Sequence, residues 1–205
     1  MAIITWYTAV GLFAQLLFTS RMLVQWVLSE KAHRVVNPSI FWWLSLGGAL
    51  VMSFYGYLRH DLAILLGQFL SYYAYLCNLK LKGQLKKIGL FASLILAIIP
   101  IALIVHEVTD LNAFKQVFLN HEYIPYPLLV FGMIGQLCFT LRFVLQTIIS
   151  LRKGESLLPR SFWLISMTGC IIVLIYGILR LDVVLILGQS MGLVTYVRNL
   201  ILGKK

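Results

Sequence analysis

The chain carries one motif twice, each residue n of the first copy recurring at n + 121. Gln15, Phe18, Arg21 and Gln25 return as Gln136, Phe139, Arg142 and Gln146. Pro38, Phe41, Trp42, Ser45 and Gly48 return as Pro159, Phe162, Trp163, Ser166 and Gly169. Tyr55-Gly56, Arg59 and Asp61 return as Tyr176-Gly177, Arg180 and Asp182, and Gly67-Gln68, Tyr75 and Asn78 as Gly188-Gln189, Tyr196 and Asn199. A repeat at one fixed spacing is one supersecondary unit built twice, so the fold must offer two equivalent places for it. Between the matched polar positions most apolar residues differ, while the polar ones do not.

Composition decides the solvent. The 205 residues are 60% hydrophobic and 12% charged, whereas soluble domains are about half apolar and a quarter charged. This predicts an integral membrane protein. The net charge of +10 does not indicate nucleic acid. The basic residues sit in short loops between apolar runs, which is how membrane orientation is encoded, and no basic patch with interleaved aromatics lies outside them. Cys77, Cys138 and Cys170 fall in apolar stretches with no CxxC, and His33, His60, His106 and His121 show no ligand spacing. Neither a disulfide framework, a metal site nor a cofactor is expected. The first apolar run has no basic start, is too long for a signal-peptide core and forms part of the repeat, so it reads as a retained helix.

Seven spans are predicted: residues 4–28, 38–58, 61–79, 88–105, 127–150, 159–179 and 182–202. Each is roughly 18–25 residues, enough for a ~30 Å hydrocarbon core. Pro38 and Pro159 fall at the first turn of their helices, where a missing N–H costs nothing. Trp42, Trp43 and Trp163 are expected at the interfacial level. The fourth span has no repeat counterpart. One extra crossing makes two three-helix units parallel, so the organisation expected is a first repeat over 4–79, a linker helix and outer loop over 80–126, and a second repeat over 127–202. Lys31, Arg34, Lys80, Lys82, Lys86, Lys87, Arg152, Lys153 and Lys204-Lys205 share one side. The positive-inside rule then gives a multi-pass protein with its N-terminus out and C-terminus cytoplasmic. Leu111, Phe114, Val117 and Phe118 in the outer loop suggest a short amphipathic helix on the membrane surface.

On helical wheels the repeated residues line one stripe per helix. Phe18, Arg21 and Gln25 fall within about 60°, and Asp61, Gln68 and Tyr75 within about 40°. In lipid such stripes must face protein or water. Gln15, Gln68, Gln136 and Gln189 lie near mid-membrane, Arg21, Gln25, Asn78, Arg142, Gln146 and Asn199 in the inner half. These ten are the candidate substrate-binding residues. The midplane glutamines can also serve as interhelical hydrogen-bond glue. Arg21 and Arg142 either snorkel to headgroups or bind an anion, for which the guanidinium fork is suited. Tyr55, Arg59, Asp61, Tyr176, Arg180 and Asp182 form an outer layer, either a gate or structural locks. Gly48, Gly67, Gly169 and Gly188 read as close-packing positions. The seven acids all lie at span ends or in loops, and no catalytic constellation can be assembled.

The run Gln15-x-x-Phe18-x-x-Arg21-x-x-x-Gln25-Trp26-x-x-Ser29-Glu30, with Pro38-x-x-Phe41-Trp42-x-x-Ser45-x-x-Gly48, Tyr55, Asp61, Gly67-Gln68 and Tyr75-x-x-Asn78, resembles the lipid A biosynthesis N-terminal domain, a membrane domain of some lipid-A-disaccharide synthases. The second copy matches through Arg142, Gln146, Pro159, Phe162-Trp163, Ser166, Gly169, Tyr176, Asp182, Gly188-Gln189 and Tyr196-x-Arg198-Asn199. That family in turn resembles PQ-loop and SWEET-like transporters, which share three-helix repeats and a 3-1-3 layout. The departure is that neither first helix holds the Pro-Gln pair, and Arg21 or Arg142 stands near its place. The resemblance implies a bacterial inner-membrane protein of lipid A biosynthesis and, in fused members, glycosyltransfer. The glycosyltransferase module is not found in these residues, so synthase activity is not carried over. Three roles follow: a carrier or binding protein for a phosphorylated glycolipid or polyprenyl phosphate, its phosphate held by the paired arginines; a SWEET-like small-solute transporter; or a non-catalytic membrane partner of a lipid A glycosyltransferase.

Overall fold

The computed structural model describes residues 6–58, 62–108, 126–179 and 183–202. Among these there is no strand, and the helices are α1 (Trp6–Ala32), α2 (Ser39–Leu58), α3 (Leu62–Leu81), α4 (Leu85–Ile88), α5 (Leu90–Val108), α6 (Tyr126–Lys153), α7 (Arg160–Leu179) and α8 (Val183–Leu202). Each predicted span corresponds to one of the long helices. The fourth differs most, because Gly89 (φ 82) breaks the chain between the single turn of α4 and the start of α5. That positive φ is one that only glycine adopts at no steric cost. The amphipathic helix expected around Leu111 lies outside the described residues.

Four stretches, Ala9–Ala32, Ser39–Leu58, Val130–Lys153 and Arg160–Leu179, are long and apolar enough to cross a membrane. Their outward faces agree. Leu12, Phe13, Leu16, Phe54, Leu137, Leu151 and Leu179 are all exposed, an amount of apolar surface that water does not tolerate on a monomer. The polarity is inverted inside. Arg21, Gln25, Ser29, Ser45, Asn78, Arg142, Gln146, Ser166 and Asn199 are buried. In hydrocarbon a polar side chain gains by turning toward protein partners, because lipid offers none. The serines close their own bonds: Ser45 Oγ donates to the Phe41 carbonyl at 2.6 Å and Ser53 Oγ to the Ala49 carbonyl at 2.8 Å.

The chain forms two compact units, Met1–Arg21 with Ser39–His121 and Met22–Pro38 with Glu122–Lys205, so α1 contributes to both. In the first unit α2 packs along α3, and α5 lies against both. Gly48 lets the Phe18 ring approach: a Cβ there would stand 2.7 Å from a ring carbon. Pro100 lies inside α5. Lacking an N–H, it leaves the carbonyl four residues earlier, Leu96, without its helical donor. Tyr72 Oη donates to that carbonyl at 2.8 Å, and Tyr73 Oη to the next one, Ala97, at 2.6 Å. The repeat positions in the second copy are Leu193 and Val194. Two tyrosines thus appear only in the copy that carries α5.

In the second unit α6 packs on α7 and α7 on α8. Gly169 is a close-packing position, since a Cβ there would meet Cys138 Cβ at 2.9 Å and the Gly135 carbonyl at 3.2 Å. Gly67 is not: among the described residues no atom lies within 4 Å of the corresponding point, contrary to the sequence expectation. The helix ends explain the loops. His33 (φ 52), Gly83 (φ 66) and Gly154 (φ 70) each end a helix in the left-handed region. Around them Arg34 N bonds the Ser29 carbonyl and His33 N the Glu30 carbonyl, as Glu155 N does with Ser150 and Gly154 N with Leu151. This is the paired 6→1 and 5→2 closure of a Schellman cap.

Candidate functional site

Each unit buries one arginine of the repeat in a box of aromatic rings. Arg21 on α1 is 6% exposed. Its Nη1 donates to Ser45 Oγ on α2 at 2.9 Å and to Tyr75 Oη on α3 at 3.0 Å. Its Cζ lies 4.7 Å from the Phe18 centroid and 5.5 Å from those of Phe41 and Tyr75. One guanidinium therefore joins three helices. Arg142 on α6 is 7% exposed, and its Nη1 donates to Tyr196 Oη on α8 at 2.9 Å. Phe139, Phe143, Phe162 and Tyr196 surround it, their centroids 4.5, 4.7, 5.6 and 5.8 Å from Cζ. Burying a charge costs several kcal/mol, and contact with each aromatic face returns only about 0.5–2 kcal/mol. Arg142 has no carboxylate partner among the described residues, and its Nε is buried without an acceptor. Neither arginine reaches out to snorkel.

A tryptophan stands beside each box. Trp42 and Trp163, expected at the interfacial level, are 0% and 2% exposed, so their rings face protein. Their rings lie 6.1 and 6.2 Å from Tyr75 and Tyr196, at interplanar angles of 43° and 44°. Burial follows from the helix face: Phe41-Trp42 and Phe162-Trp163 open the stripes that continue through Ser45 and Gly48, and through Ser166 and Gly169.

The inner amides are organised differently. Gln25 and Asn199, both fully buried, exchange two bonds: Gln25 Nε2 to Asn199 Oδ1 at 2.7 Å and Asn199 Nδ2 to Gln25 Oε1 at 3.0 Å. Gln25 Nε2 also reaches Ser29 Oγ at 2.9 Å and the Val36 carbonyl at 3.3 Å. Gln146 repeats this with Ser150 Oγ at 2.8 Å and the Leu157 carbonyl at 2.6 Å. Ser29 and Ser150 take up Val36 N and Leu157 N, each at 3.1 Å. Each Gln thus clamps the chain returning from its own helix. The two serines were missed as a matched pair, although they recur at the same offset and four residues after each Gln. Asn78 Nδ2 donates to the Ala74 carbonyl at 2.8 Å.

Of the other candidates, Gln15 is exposed and Gln68 and Gln189 are half-buried; the Gln136 side chain lies outside the described set. The outer tyrosines cover glycines, the Tyr55 ring approaching Gly11 at 3.1 Å and the Tyr176 ring Gly132 at 2.8 Å, measured from where a Cβ would stand. Arg59, Asp61, Arg180 and Asp182 lie outside the described residues. One ion pair was not anticipated. Arg198 meets Glu30, with Nη2 to Oε2 at 2.7 Å, and Trp26 Nε1 donates to the same carboxylate at 2.9 Å. The repeat partners of Glu30 and Arg198 are Leu151 and Cys77, so this pair breaks the symmetry.

Apolar helices that turn polar side chains inward, each unit closing around a buried arginine, define an all-helical membrane-associated protein. The sequence profile of the Lipid A Biosynthesis N-terminal domain matches it twice, over residues 10–80 and 131–201. The chain belongs to that family. It is similar to the lipid-A-disaccharide synthases of Chlamydia trachomatis serovar D and Chlamydia muridarum, 30% identical over 95% of this chain and 34% of each relative. The synthase of Chlamydia pneumoniae is 27% identical over 93% of this chain and 32% of the relative. The chain thus spans about a third of the length of the curated relatives it matches. No solved structure matches it.

Proposed function

We propose that this chain is a membrane carrier or binding protein for an anionic, lipid-linked intermediate of lipid A biosynthesis. The observation that carries the reading is Arg142: a buried cation with aromatic walls, a tyrosine hydroxyl, an unused Nε–H and no carboxylate partner among the described residues. A phosphate supplies the missing counter-charge, and the planar fork of arginine suits its oxygens. Arg21 takes the matching place in the first unit. Gln25, Gln146 and Asn199 hold the adjacent helix ends, and Gln15, Gln68, Gln136 and Gln189 line the path. The topology that goes with this role is 3-1-3, with repeats over 4–79 and 127–202 joined through 80–126, as in PQ-loop transporters. The N-terminus lies outside, and the arginines lie in the cytoplasmic half of the inner membrane.

The test is binding of a lipid phosphate monoester to the full chain in detergent. Arg142→Lys keeps the charge but loses the fork, and is expected to weaken binding at least about tenfold. Arg21→Ala with Arg142→Ala is expected to abolish it. Unchanged affinity in both, with helix content intact by circular dichroism, would rule the reading out.

A second reading is favoured by the relatives themselves, which bear the name of a disaccharide synthase and are about three times as long. In it the chain is the membrane partner of a lipid A glycosyltransferase. It calls for co-purification with such an enzyme and for loss of that enzyme's membrane-bound activity when the chain is deleted.

A further inference from the structure

Trp42 Nε1 and Trp163 Nε1 are buried and have no hydrogen-bond partner among the described residues. A buried indole N–H ordinarily finds an acceptor, and it can only donate. Both members of one repeat pair show the same vacancy, at nearly identical distances and angles to the tyrosine that receives the arginine bond. Packing alone does not need the nitrogen, because phenylalanine would fill an apolar wall without a buried donor. In the second unit the Arg142 Nε–H is open in the same way. Tyr196, which takes the Arg142 bond, directs its own hydroxyl hydrogen to Met22 Sδ at 4.0 Å. Ser166 Oγ gives its hydrogen to the Phe162 carbonyl. What remains beside Tyr196 is a guanidinium and an indole, a cationic set made of donors.

We propose that Trp42 and Trp163 contact the ligand, each indole N–H donating to an oxygen of a phosphoryl group, one such group per unit. This rests on the anion-binding reading above and deepens it. The ligand class is a phosphate monoester whose oxygens can accept from an indole and a guanidinium together.

The experiment uses the full chain in detergent micelles with 15N-labelled indoles at its five tryptophans, signals being assigned by single Trp→Phe substitution. The probe is a short-chain phosphatidic acid, compared with the matching diacylglycerol and with inorganic phosphate. Phosphatidic acid should move the Trp42 and Trp163 indole protons downfield and leave Trp6, Trp26 and Trp43 in place. Diacylglycerol should move none. An equal response to inorganic phosphate assigns recognition to the free anion, and no response to it assigns recognition to the lipid-borne headgroup; both support the proposal. Trp42→Phe and Trp163→Phe should each weaken phosphatidic acid binding roughly tenfold, the effect of one hydrogen bond to a charged group. If phosphatidic acid binds in an arginine-dependent way while both indole signals stay fixed and both Phe variants bind like wild type, the indoles hold structural water and this inference is overturned, with the carrier reading intact. If no phosphatidic acid binds, the carrier reading fails and this inference with it.

Discussion

Removing the Asn199 side chain isolates the amide clasp between the first and last helices. Asn199→Ala deletes both bonds to Gln25 and the bond from Nδ2 to the Thr195 carbonyl. Gln25 Nε2 keeps Ser29 Oγ and the Val36 carbonyl, but Gln25 Oε1, at 0% exposure, is left with no donor. Stranding a buried acceptor costs about 1–3 kcal/mol, and a typical lost bond about 1 kcal/mol. The expected loss is about 2–3 kcal/mol. For a chain of this size 1 kcal/mol moves Tm by roughly 2–4 °C, so a fall of about 4–12 °C is expected in detergent. Gln25→Leu with Asn199→Leu removes both amides and strands neither; the Val36 carbonyl and Ser29 Oγ lose the Gln25 donor in Gln25→Leu and in the double substitution alike, so that loss cancels in the comparison. The double substitution should therefore cost less than the sum of the single ones, by about 1–2 kcal/mol. In a bilayer the coupling should shrink toward about 0.6 kcal/mol, because separated helices find other partners there. Strict additivity in detergent, measured by thermal unfolding of the wild type, Gln25→Leu, Asn199→Leu and the double substitution, would refute the claim that these amides interact.

Gly169→Ala should lower Tm, because its Cβ meets Cys138 Cβ and a backbone carbonyl that cannot move without parting α6 from α7; overpacking of about 1–3 kcal/mol exceeds the helix-propensity gain of about 1 kcal/mol. Gly67→Ala meets open space and should raise Tm or leave it unchanged; equal losses at the two sites would contradict these environments. Tyr72→Phe should cost about 1–2 kcal/mol by stranding the carbonyl that Pro100 leaves free. The same change should cost less in a Pro100→Ala background, where residue 100 regains its N–H, and a thermal double-mutant cycle reads the difference.

Much of the helical layout was legible because a polar residue kept at fixed spacing in an apolar run can only be one that faces protein. The offset located Arg21 with Arg142, Gln25 with Gln146 and Asn78 with Asn199 on their stripes, and the membrane composition explained why those stripes turn inward. The same periodicity was silent on partners. It could not say that Gln25 and Asn199 meet, since they lie 174 residues apart, nor that Trp42 and Trp163 lie buried beside Tyr75 and Tyr196. It also missed the break at Gly89 and the left-handed His33, because a helix signal carried by apolar period does not register a single residue's φ.

From sequence alone come the membrane class, the helices and the polar stripe on each, because hydropathy and a 3.6-residue period act along one chain segment at a time. Tertiary structure alone decided which donor meets which acceptor. It spent Gln25 and Asn199 on each other, tied Tyr72 to the carbonyl freed by Pro100, and left Arg142 and the two indoles with unused donors. The distinction is physical: depth and angle follow from position on one helix, whereas a hydrogen bond depends on a second helix whose position the local pattern does not encode.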